Sequence, residues 1–331
     1  MKSILIIQTA FVGDAILASA IVESLHAAYP HAEIDFLLRK GNENLYNNHP
    51  FIKTILVWNK KESKYRNLIS LLKHIRAVKY DAVINLQRFA ASGILSAFSG
   101  AERRIGFDKN PFSFLYSTKF PHDIPKYKKD PFVHEIDRNY SLIADFQGVK
   151  PALPRLYPPA EAIHKIKQYR EFGAYVCIAP ASVWYTKQWP AQKWIELIST
   201  FKNYRVYLLG SRDDLELCEK IKLGSGHHDI HILAAELNLL ESAELMKYAA
   251  MNYVNDSAPL HLCSAVNAPV TAIYCSTIPE FGFGPLSSDA HVVEVIEVLP
   301  CRPCGLHGHR ACPEGHFKCA LDIRISDIPS P

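Results

Sequence analysis

A lone acid stands in the first tight loop of the chain and is the first candidate for chemistry. The apolar run at residues 3–7 leads into a loop at residues 9–14, and an apolar-periodic segment follows that loop. Asp14 is the only charged residue of the loop, and Gly13 lets the backbone come close to a bound molecule. A carboxylate so placed can accept a proton from a reacting hydroxyl group. It can equally cap the following helix by accepting a backbone N–H, and the residues alone leave both roles open.

A second candidate is a loop that combines hydroxyl groups, a lysine and aromatic rings. Residues 180–190 follow another apolar run and contain Ser182, Thr186 and Lys187. Such a set suits an anionic group attached to a flat ring. The alternative is a solvated lysine above packed tryptophans, and for Trp189 we expect that packing role.

An acid and a hydroxyl group close a third apolar run immediately before a predicted helix. Asp256 and Ser257 stand at this junction, and His261 follows about one helical turn later. A helix N-terminus offers free backbone N–H groups and a positive dipole end to a phosphate, and Pro259 is compatible with the first turn. The structural alternatives are helix capping for Asp256 and Ser257, and a partly buried ring for His261.

The C-terminal region carries four cysteines that include one close pair, with histidines between them: Cys301, Cys304, Cys312 and Cys319. In a cytosolic chain this pattern alone suggests a structural zinc site, although the second pair is spaced more widely than zinc ligands usually are. The other four cysteines lie in apolar segments, and we expect them in the core.

Strand-like and helix-like segments alternate along both halves of the chain and must position these residues. The predicted strands are 3–7, 34–38, 55–58, 82–86 and 103–107, then 175–179, 206–210, 252–256 and 270–274. The predicted helices are 15–29, 67–79, 134–146 and 193–201, with another that Asp213 and Asp214 could start. This alternation predicts right-handed crossovers and parallel sheets, whose strands release ligand-binding loops at their carboxyl ends.

Two stretches interrupt the alternation. Residues 111–130 are aromatic and basic, include Lys126 and Lys128, and predict a long loop that either steers an anionic acceptor or is simply solvated. Residues 150–159 contain four prolines, which resist helix and sheet pairing, so we place the domain boundary there. We therefore predict an α/β protein with two doubly wound, Rossmann-like domains, 1–150 and 151–331, facing each other across a cleft.

Length and composition agree with this architecture. With 331 residues, of which 48% are hydrophobic, the chain can bury two cores. Its net charge of +4 is small for a dedicated nucleic-acid binder. Lys2 before an apolar run imitates a secretory signal, but Gln8 and Asp14 interrupt that run, and no stretch approaches the ~18 apolar residues that span a bilayer. We therefore expect a soluble, cytoplasmic protein.

The order and spacing of the motifs resemble glycosyltransferase family 9, the GT-B heptosyltransferases that move heptose from ADP-heptose to the inner core of lipopolysaccharide. The similarity extends over nearly the whole chain. It rests on FVGD at 11–14, RIGF at 104–107, KQWP at 187–190, LGS at 209–211 followed by two acids, and the pairs Asp256-Ser257 and Leu260-His261.

This resemblance implies an inverting transfer that requires no metal or other cofactor. Asp14 matches the general base that takes a proton from the acceptor hydroxyl. Lys187 and Ser182 match groups that hold the diphosphate, with Lys187 offsetting charge as ADP departs. Asp214 matches a nucleoside contact, and Asp256 matches a contact to the donor sugar or its phosphate.

The same resemblance assigns three further residues to the donor side: Thr186, Ser257 and His261. It assigns the acceptor to the N-terminal domain and the nucleotide sugar to the C-terminal domain. The expected acceptor contacts are Gly13, Arg88, Lys126 and Lys128. The implied partners are an ADP-heptose-like donor and an anionic glycolipid acceptor at the inner face of the inner membrane, where the protein could be peripheral, with no nucleic acid.

The chain departs from the family pattern in two places. Ala258 and Pro259 follow the acid–hydroxyl pair where the family usually has a glycine, which restricts the backbone. Trp184 and Tyr185 replace a charged residue that is common before the lysine. These differences bear on the donor more than on the transfer. Cysteine-rich ends occur in the family without an established metal role, so structural cysteines, reduced or cross-linked, rank ahead of zinc.

Two other classes of function stay open at this point. A nicotinamide-dependent oxidoreductase would share the predicted fold, but the first loop lacks the G-x-G-x-x-G that pyrophosphate approach requires. A non-catalytic nucleotide- or nucleic-acid-binding protein with a zinc-bound tail is the second alternative. Zinc analysis and salt-dependent DNA binding would detect it.

Overall fold

The structure is a computed structural model that describes residues 1–125 and 132–331. Two compact units are present: an N-terminal unit of Met1–Ile124 and Val133–Tyr157, and a C-terminal unit whose main part is Pro158–Pro331. The candidate acceptor contacts Lys126 and Lys128 lie outside the described residues.

The N-terminal unit is built on a parallel sheet. Its strands are β1 (Ser3–Gln8), β2 (Glu33–Arg39), β3 (Thr54–Trp58), β4 (Ala82–Asn85), β5 (Arg103–Phe107) and β6 (Thr118–Phe120). Its helices are α1 (Val12–Ala28), α2 (Lys64–Val78), α3 (Ala90–Ala97) and α4 (Glu135–Ser141). The strand order is β3-β2-β1-β4-β5-β6, and every pair is parallel.

Buried apolar runs explain the central strands. The side chains of residues 4–7 in β1 are fully buried, as expected for a parallel strand covered on both faces. Right-handed crossovers place α1 on one face of the sheet and α2 and α3 on the other. On the second of these faces, Leu68 and Ile75 of α2 and Leu95 of α3 pack into a core with residues of β1 and β4.

The C-terminal unit repeats the same plan. Its strands are β7 (Tyr175–Ala179), β8 (Arg205–Leu208), β9 (Ile230–Ile232), β10 (Met251–Asn255), β11 (Val270–Tyr274) and β12 (Ala290–Glu294). Its helices are α5 (Ala160–Arg170), α6 (Ala191–Ile198), α7 (Leu215–Ser225), α8 (Leu239–Lys247), α9 (Ala258–Val266) and α10 (Lys318–Leu321). The parallel strands are ordered β12-β11-β10-β7-β8-β9.

Two tryptophans anchor the second core. Trp189 and Trp194 are almost fully buried, with ring centroids 5.0 Å apart in an edge-on arrangement. The indole N–H of Trp189 donates to the carbonyl of Ala320 at 3.0 Å, which ties α10 to this core. The packing role predicted for Trp189 is therefore confirmed.

The structure corrects several boundaries. Helix α1 begins at Val12, so Gly13 and Asp14 lie in its first turn and not in the preceding loop. The prediction of a long loop at residues 111–130 is wrong where β6 forms at the sheet edge.

Some short or half-exposed elements were not predicted from the sequence. Strands β9 and β12 are examples, because their side chains lack a continuous apolar run. None of the described helices has the length and apolar character needed to cross a bilayer.

Candidate active site

Each sheet has one point where the strand order reverses, and the loops with candidate chemistry lie at these two points. In the N-terminal unit the reversal lies between β1 and β4, and in the C-terminal unit it lies between β7 and β10. Strand connections leave in opposite directions at such a point, which opens a crevice at the carboxyl ends of the two strands. Asp14 follows β1, and Arg88 follows β4. Lys187 follows β7, and Asp256 follows β10.

In the N-terminal unit, polar side chains hold the loop that leads to Asp14. The amide of Asn42 donates to the carbonyl of Ala10 at 3.1 Å. The ammonium of Lys60 donates to the carbonyl of Thr9 at 2.6 Å and to its hydroxyl at 3.2 Å. Phe11 occupies the N-cap position of α1, so Asp14 is not the N-cap residue. As a first-turn acid it lies where the helix dipole favours a negative charge, and its side chain is half-buried.

Basic side chains gather at the same edge of this sheet. The guanidinium of Arg39, the last residue of β2, lies 5.2 Å from the ring centroid of Phe11. Burial, together with the smaller effect of the positive charges of Arg39 and Lys64, lowers the pKa of Lys60 to about 8. Among these cations, only Arg88 was predicted from the sequence as an acceptor contact. Arg39 and Lys60 could have been found, because each stands at or just after the carboxyl end of a predicted strand.

In the C-terminal unit an ion pair forms at the reversal point. The ammonium nitrogen of Lys187 lies 2.6 Å from Oδ2 of Asp256, and the two side chains are only 16% and 8% exposed. The hydroxyl of Thr277, which follows β11, donates to the same carboxylate oxygen at 2.6 Å. A lysine ammonium has three donors, so a pair with Asp256 leaves donors that can face an arriving anion.

One buried amide connects the two loops that carry this pair. The side chain of Asn255 donates to the carbonyl of Pro180 at 2.7 Å and accepts the backbone N–H of Trp189 at 3.0 Å. Within the β7 loop, the Gln188 amide donates to the carbonyl of Ser182 at 2.5 Å. These bonds hold the half-buried Ser182 and Lys187 in one folded loop beside the end of β10.

The N-terminus of α9 lies beside Asp256. Ser257 is its N-cap residue, and among the described residues its side chain makes no capping bond. Ser257 therefore takes the predicted N-cap position without a side-chain capping bond, and the first-turn N–H groups carry the partial positive charge that suits a phosphate. His261 is buried, with its ring centroid 6.3 Å from that of Phe283, so the buried position considered for it is confirmed.

Two of the donor-side candidates have structural partners in this arrangement. The buried hydroxyl of Thr186 accepts the backbone N–H of His309 at 2.7 Å and the hydroxyl of Ser276 at 3.0 Å. The carboxylate of Asp214 accepts the N–H and the hydroxyl of Ser211 at 2.7 and 2.8 Å in a capping box that starts a short turn before α7. Direct donor contacts by Thr186 and Asp214 remain predictions.

The C-terminal segment is hydrogen-bonded to these loops, a contact that the sequence did not predict. Besides the bond already given, the carbonyl of His309 accepts the backbone N–H of Thr186 at 3.1 Å. The backbone N–H of Cys304 donates to the carbonyl of Ser276 at 2.8 Å. The guanidinium of Arg302 donates to the carbonyls of Cys275 and Thr277, each at 2.7 Å. Residues 302–309 therefore hold both the Lys187 loop and the loop that carries Thr277.

The cysteines of this segment are free thiols. Cys301 lies 3.9 Å from the Nε2 atom of His316, and Cys319 is buried in the second core. Within residues 1–125 and 132–331, no three His, Cys, Asp or Glu side chains are grouped as ligands for a metal ion. Zinc binding by Cys301, Cys304, Cys312 and Cys319 therefore stays a prediction without geometric support. The remaining cysteines, Cys177, Cys218, Cys263 and Cys275, are buried, which confirms their expected place in the core.

Known proteins resemble this chain in sequence and in structure. Residues 68–312 match the family "Glycosyltransferase family 9 (heptosyltransferase)". Lipopolysaccharide heptosyltransferase 3 of Escherichia coli is 28% identical over 282 residues, which cover 81% of this chain and 82% of that protein. The structure of E. coli ADP-heptose LPS heptosyltransferase II superimposes with a TM-score of 0.78 at 22% identity, covering 99% of this chain and 96% of that chain.

A third comparison is with a complex. The structure of E. coli heptosyltransferase WaaC with ADP-2-deoxy-2-fluoro heptose gives a TM-score of 0.69 at 21% identity, covering 88% of this chain and 92% of that chain. These superpositions confirm the GT-B-like α/β fold with its two parallel sheets. The family match spans well over half of the chain, and it confirms the predicted resemblance. The chain therefore belongs to glycosyltransferase family 9, the heptosyltransferases of lipopolysaccharide biosynthesis.

Proposed function

We propose that the protein transfers heptose, or a closely related sugar, from ADP-heptose to an acceptor in the lipopolysaccharide inner core, with inversion and without a metal ion. The observation that carries the proposal is the half-buried Lys187 at the β7/β10 reversal point, beside the N-terminus of α9. Its charge and the helix N-terminus are two independent sources of positive potential for one diphosphate. The names of the related heptosyltransferases supply the donor.

The C-terminal unit would hold the donor. Lys187 would bind the diphosphate together with Ser182 and the first-turn N–H groups after Ser257. Asp256 accepts the Thr277 hydroxyl and holds the lysine ammonium at the carboxyl end of β10. In this scheme Asp256 would face the sugar or its phosphate. As the bond between the anomeric carbon and the phosphate oxygen breaks, negative charge grows on ADP, and Lys187 offsets that charge. His261 would support the same side of the site.

The N-terminal unit would activate the acceptor. Asp14 would take the proton of the acceptor hydroxyl. At the same time the oxygen of that hydroxyl would form the new bond to the anomeric carbon, from the face opposite the departing ADP. The proton stays on Asp14, and the electron pair of the broken bond leaves with ADP. Single displacement of this kind inverts the anomeric configuration. No metal is required in this scheme, because lysine and backbone N–H groups supply the positive charge.

The cations at the carboxyl edge of the N-terminal sheet would bind an anionic acceptor. With a pKa of about 8, Lys60 is mostly protonated at neutral pH, and Arg39 and Arg88 are permanently charged. Guanidinium groups bind phosphate and carboxylate oxygens with two parallel hydrogen bonds. We therefore extend the predicted acceptor contacts from Gly13 and Arg88 to Arg39 and Lys60.

Transfer assays with purified protein test this function. The protein is incubated with ADP-, GDP- or UDP-linked sugars and an inner-core acceptor that lacks the heptose, and the product is identified by mass. Only ADP-heptose, or a close ADP-sugar, is expected to support transfer. Asp14→Asn is expected to lower kcat by roughly 10²- to 10⁴-fold with unchanged ADP affinity, since an acid–base group is lost.

The exposed Asp145→Asn is the matched control for the loss of one carboxylate in the same unit. Equal turnover by Asp14→Asn and Asp145→Asn would remove the proposed base. Transfer from a GDP- or UDP-sugar in preference to ADP-heptose would contradict the proposed donor.

A further inference from the structure

Positive charge is concentrated in and around α2 of the N-terminal unit. Residues 60–79 contain seven Lys or Arg side chains and a single acid, Glu62. The excess of six positive charges in this short segment exceeds the net charge of +4 of the entire chain. The rest of the protein is therefore slightly acidic, and α2 stands out as its basic face.

The outward side of α2 combines this charge with apolar side chains. Tyr65, Ile69, Lys73 and Arg76 follow one another at spacings of four, four and three residues, so they form one stripe along the helix. All four are exposed, with Tyr65 at 73% and Ile69 at 56% of their full accessibility. Leu68 and Ile75 pack into the core from a side of α2 that is about a quarter turn away from the stripe, so the stripe runs along the solvent-exposed flank of the helix beside that contact.

Aromatic rings continue the same surface beyond α2. The guanidinium of Arg76 donates to the carbonyl of Phe98 at 3.0 Å. The ring of Phe98 lies 6.3 Å from that of Phe112, which in turn lies 6.4 Å from that of Phe114. Phe98 and Phe114 are exposed, and Phe114 keeps 73% of its accessibility. A connected row of phenylalanines, exposed at both ends and half-buried at Phe112, beside a cationic helix fits a partner that is both apolar and anionic.

We propose that this basic–aromatic face, formed by the outward side of α2 with Phe98, Phe112 and Phe114, docks the protein on an anionic lipid bilayer. Lysine and arginine heads reach phospholipid headgroups while tyrosine, isoleucine and phenylalanine side chains insert at the boundary of the acyl region. Charge complementarity selects this occupant. The proposal deepens the proposed function, because an acceptor anchored in a membrane is then met by an enzyme held at the same surface.

Vesicle co-sedimentation of the full chain tests docking without any sugar nucleotide. The protein is expected to sediment with vesicles of phosphatidylglycerol mixed with phosphatidylcholine, but not with phosphatidylcholine alone, and to be released by added salt. Arg66 is exposed on α2 and lies two helical turns before Lys73 on the same side of the helix. Arg66→Gln with Lys73→Gln should weaken partitioning by about 25-fold, at about 5-fold for each charge removed. The control is Lys220→Gln with Lys222→Gln, two exposed lysines of α7 in the other unit, and it should partition like the wild type.

A second pair of variants tests the apolar part. Ile69→Ser with Phe114→Ser should also reduce partitioning, whereas Leu223→Ser, at a position 81% exposed on α7, should not. Equal partitioning by the α2 and α7 charge variants, no sedimentation with anionic vesicles, or equal sedimentation with neutral vesicles would each overturn the proposal. So would binding of an oligonucleotide through Arg66 and Lys73 without vesicle binding.

Calorimetric ADP binding separates this proposal from the proposed function. The α2 variants should bind ADP like the wild type, because they lie outside the donor loops. Loss of vesicle binding with normal ADP binding supports the docking face. A variant that loses both is expected to be misfolded, and its circular dichroism spectrum should then differ from that of the wild type. If α2 variants with native circular dichroism still sediment normally, the docking face is wrong whatever the donor proves to be.

Discussion

Gly308 offers the sharpest test of how the C-terminal segment shapes the donor site. Its backbone has φ of +78°, and a Cβ atom added there would lie 3.0 Å from Cγ of Lys187 and 3.0 Å from the hydroxyl oxygen of Thr186. Gly315 has a similar φ of +71°, but a Cβ atom there meets nothing within 4 Å. The two glycines therefore differ mainly in what surrounds them. Gly308→Ala and Gly315→Ala form a matched pair of variants.

The backbone term should be nearly equal in the two variants. A left-handed conformation costs a non-glycine residue about 1–2 kcal/mol, so both should lower the free energy of unfolding by about that amount. Only Gly308→Ala also pushes the stem of Lys187 and loosens the bond from the His309 N–H to Thr186. A bond of this kind contributes about 1 kcal/mol net, which corresponds to about 5-fold in ADP affinity.

Isothermal titration of ADP measures the affinity, and urea unfolding measures the stability. We expect Gly308→Ala to bind ADP about 5-fold more weakly than Gly315→Ala and to be less stable by up to about 1 kcal/mol, which is the contribution of the loosened bond. Gly308→Val should bind ADP more weakly still. If Gly308→Ala binds ADP as tightly as Gly315→Ala, the C-terminal segment does not position Lys187. If ADP affinity is reduced equally in both, the effect belongs to the backbone and not to the contact.

Three further variants test the site and its support. Lys187→Ala should weaken ADP binding by about 10- to 100-fold in calorimetry, because a charge-assisted hydrogen bond is lost. Lys193→Ala on α6 is the control and should bind ADP like the wild type. Equal ADP affinities of the two variants would contradict the diphosphate contact. Asn255→Ala leaves the buried N–H of Trp189 and the buried carbonyl of Pro180 without their partner. Urea unfolding should show a free energy of unfolding that is lower by about 2–4 kcal/mol. The exposed Asn203→Ala is the control and should lower it by less than ~0.5 kcal/mol. Burial, and to a smaller extent the charge of His26, lowers the pKa of His49 from 6.5 to about 4. Between pH 6.5 and pH 4, His49 is therefore protonated in the unfolded chain but neutral in the folded chain. Stability should therefore fall by up to about 3 kcal/mol from pH 6.5 to pH 4, and His49→Gln should flatten that fall; identical acid slopes would refute the assignment.

The loops that carry the chemistry were predictable because their signals are local. A buried apolar run, a polar turn and a helix start are adjacent in sequence, so Asp14, Lys187 and Asp256 could each be assigned to the carboxyl end of a strand. Parallel strands bring their carboxyl ends to one edge, which is why these three residues lie at or beside the points where the strand order reverses. Arg39 and Lys60 follow the same rule.

Long-range contacts carry no such signal. The bond from His309 to Thr186 joins residues 123 positions apart, and the bond from Trp189 to Ala320 joins residues 131 positions apart. No periodicity of two or 3.6 residues encodes such a pair, because backbone N–H and carbonyl groups are the same in every residue. The amino-acid pattern therefore specified two α/β units and the loops that hold reactive side chains. Folding added the pairing of Lys187 with Asp256 and the closure of the C-terminal segment over their loops, since both depend on which distant elements the cores bring into contact.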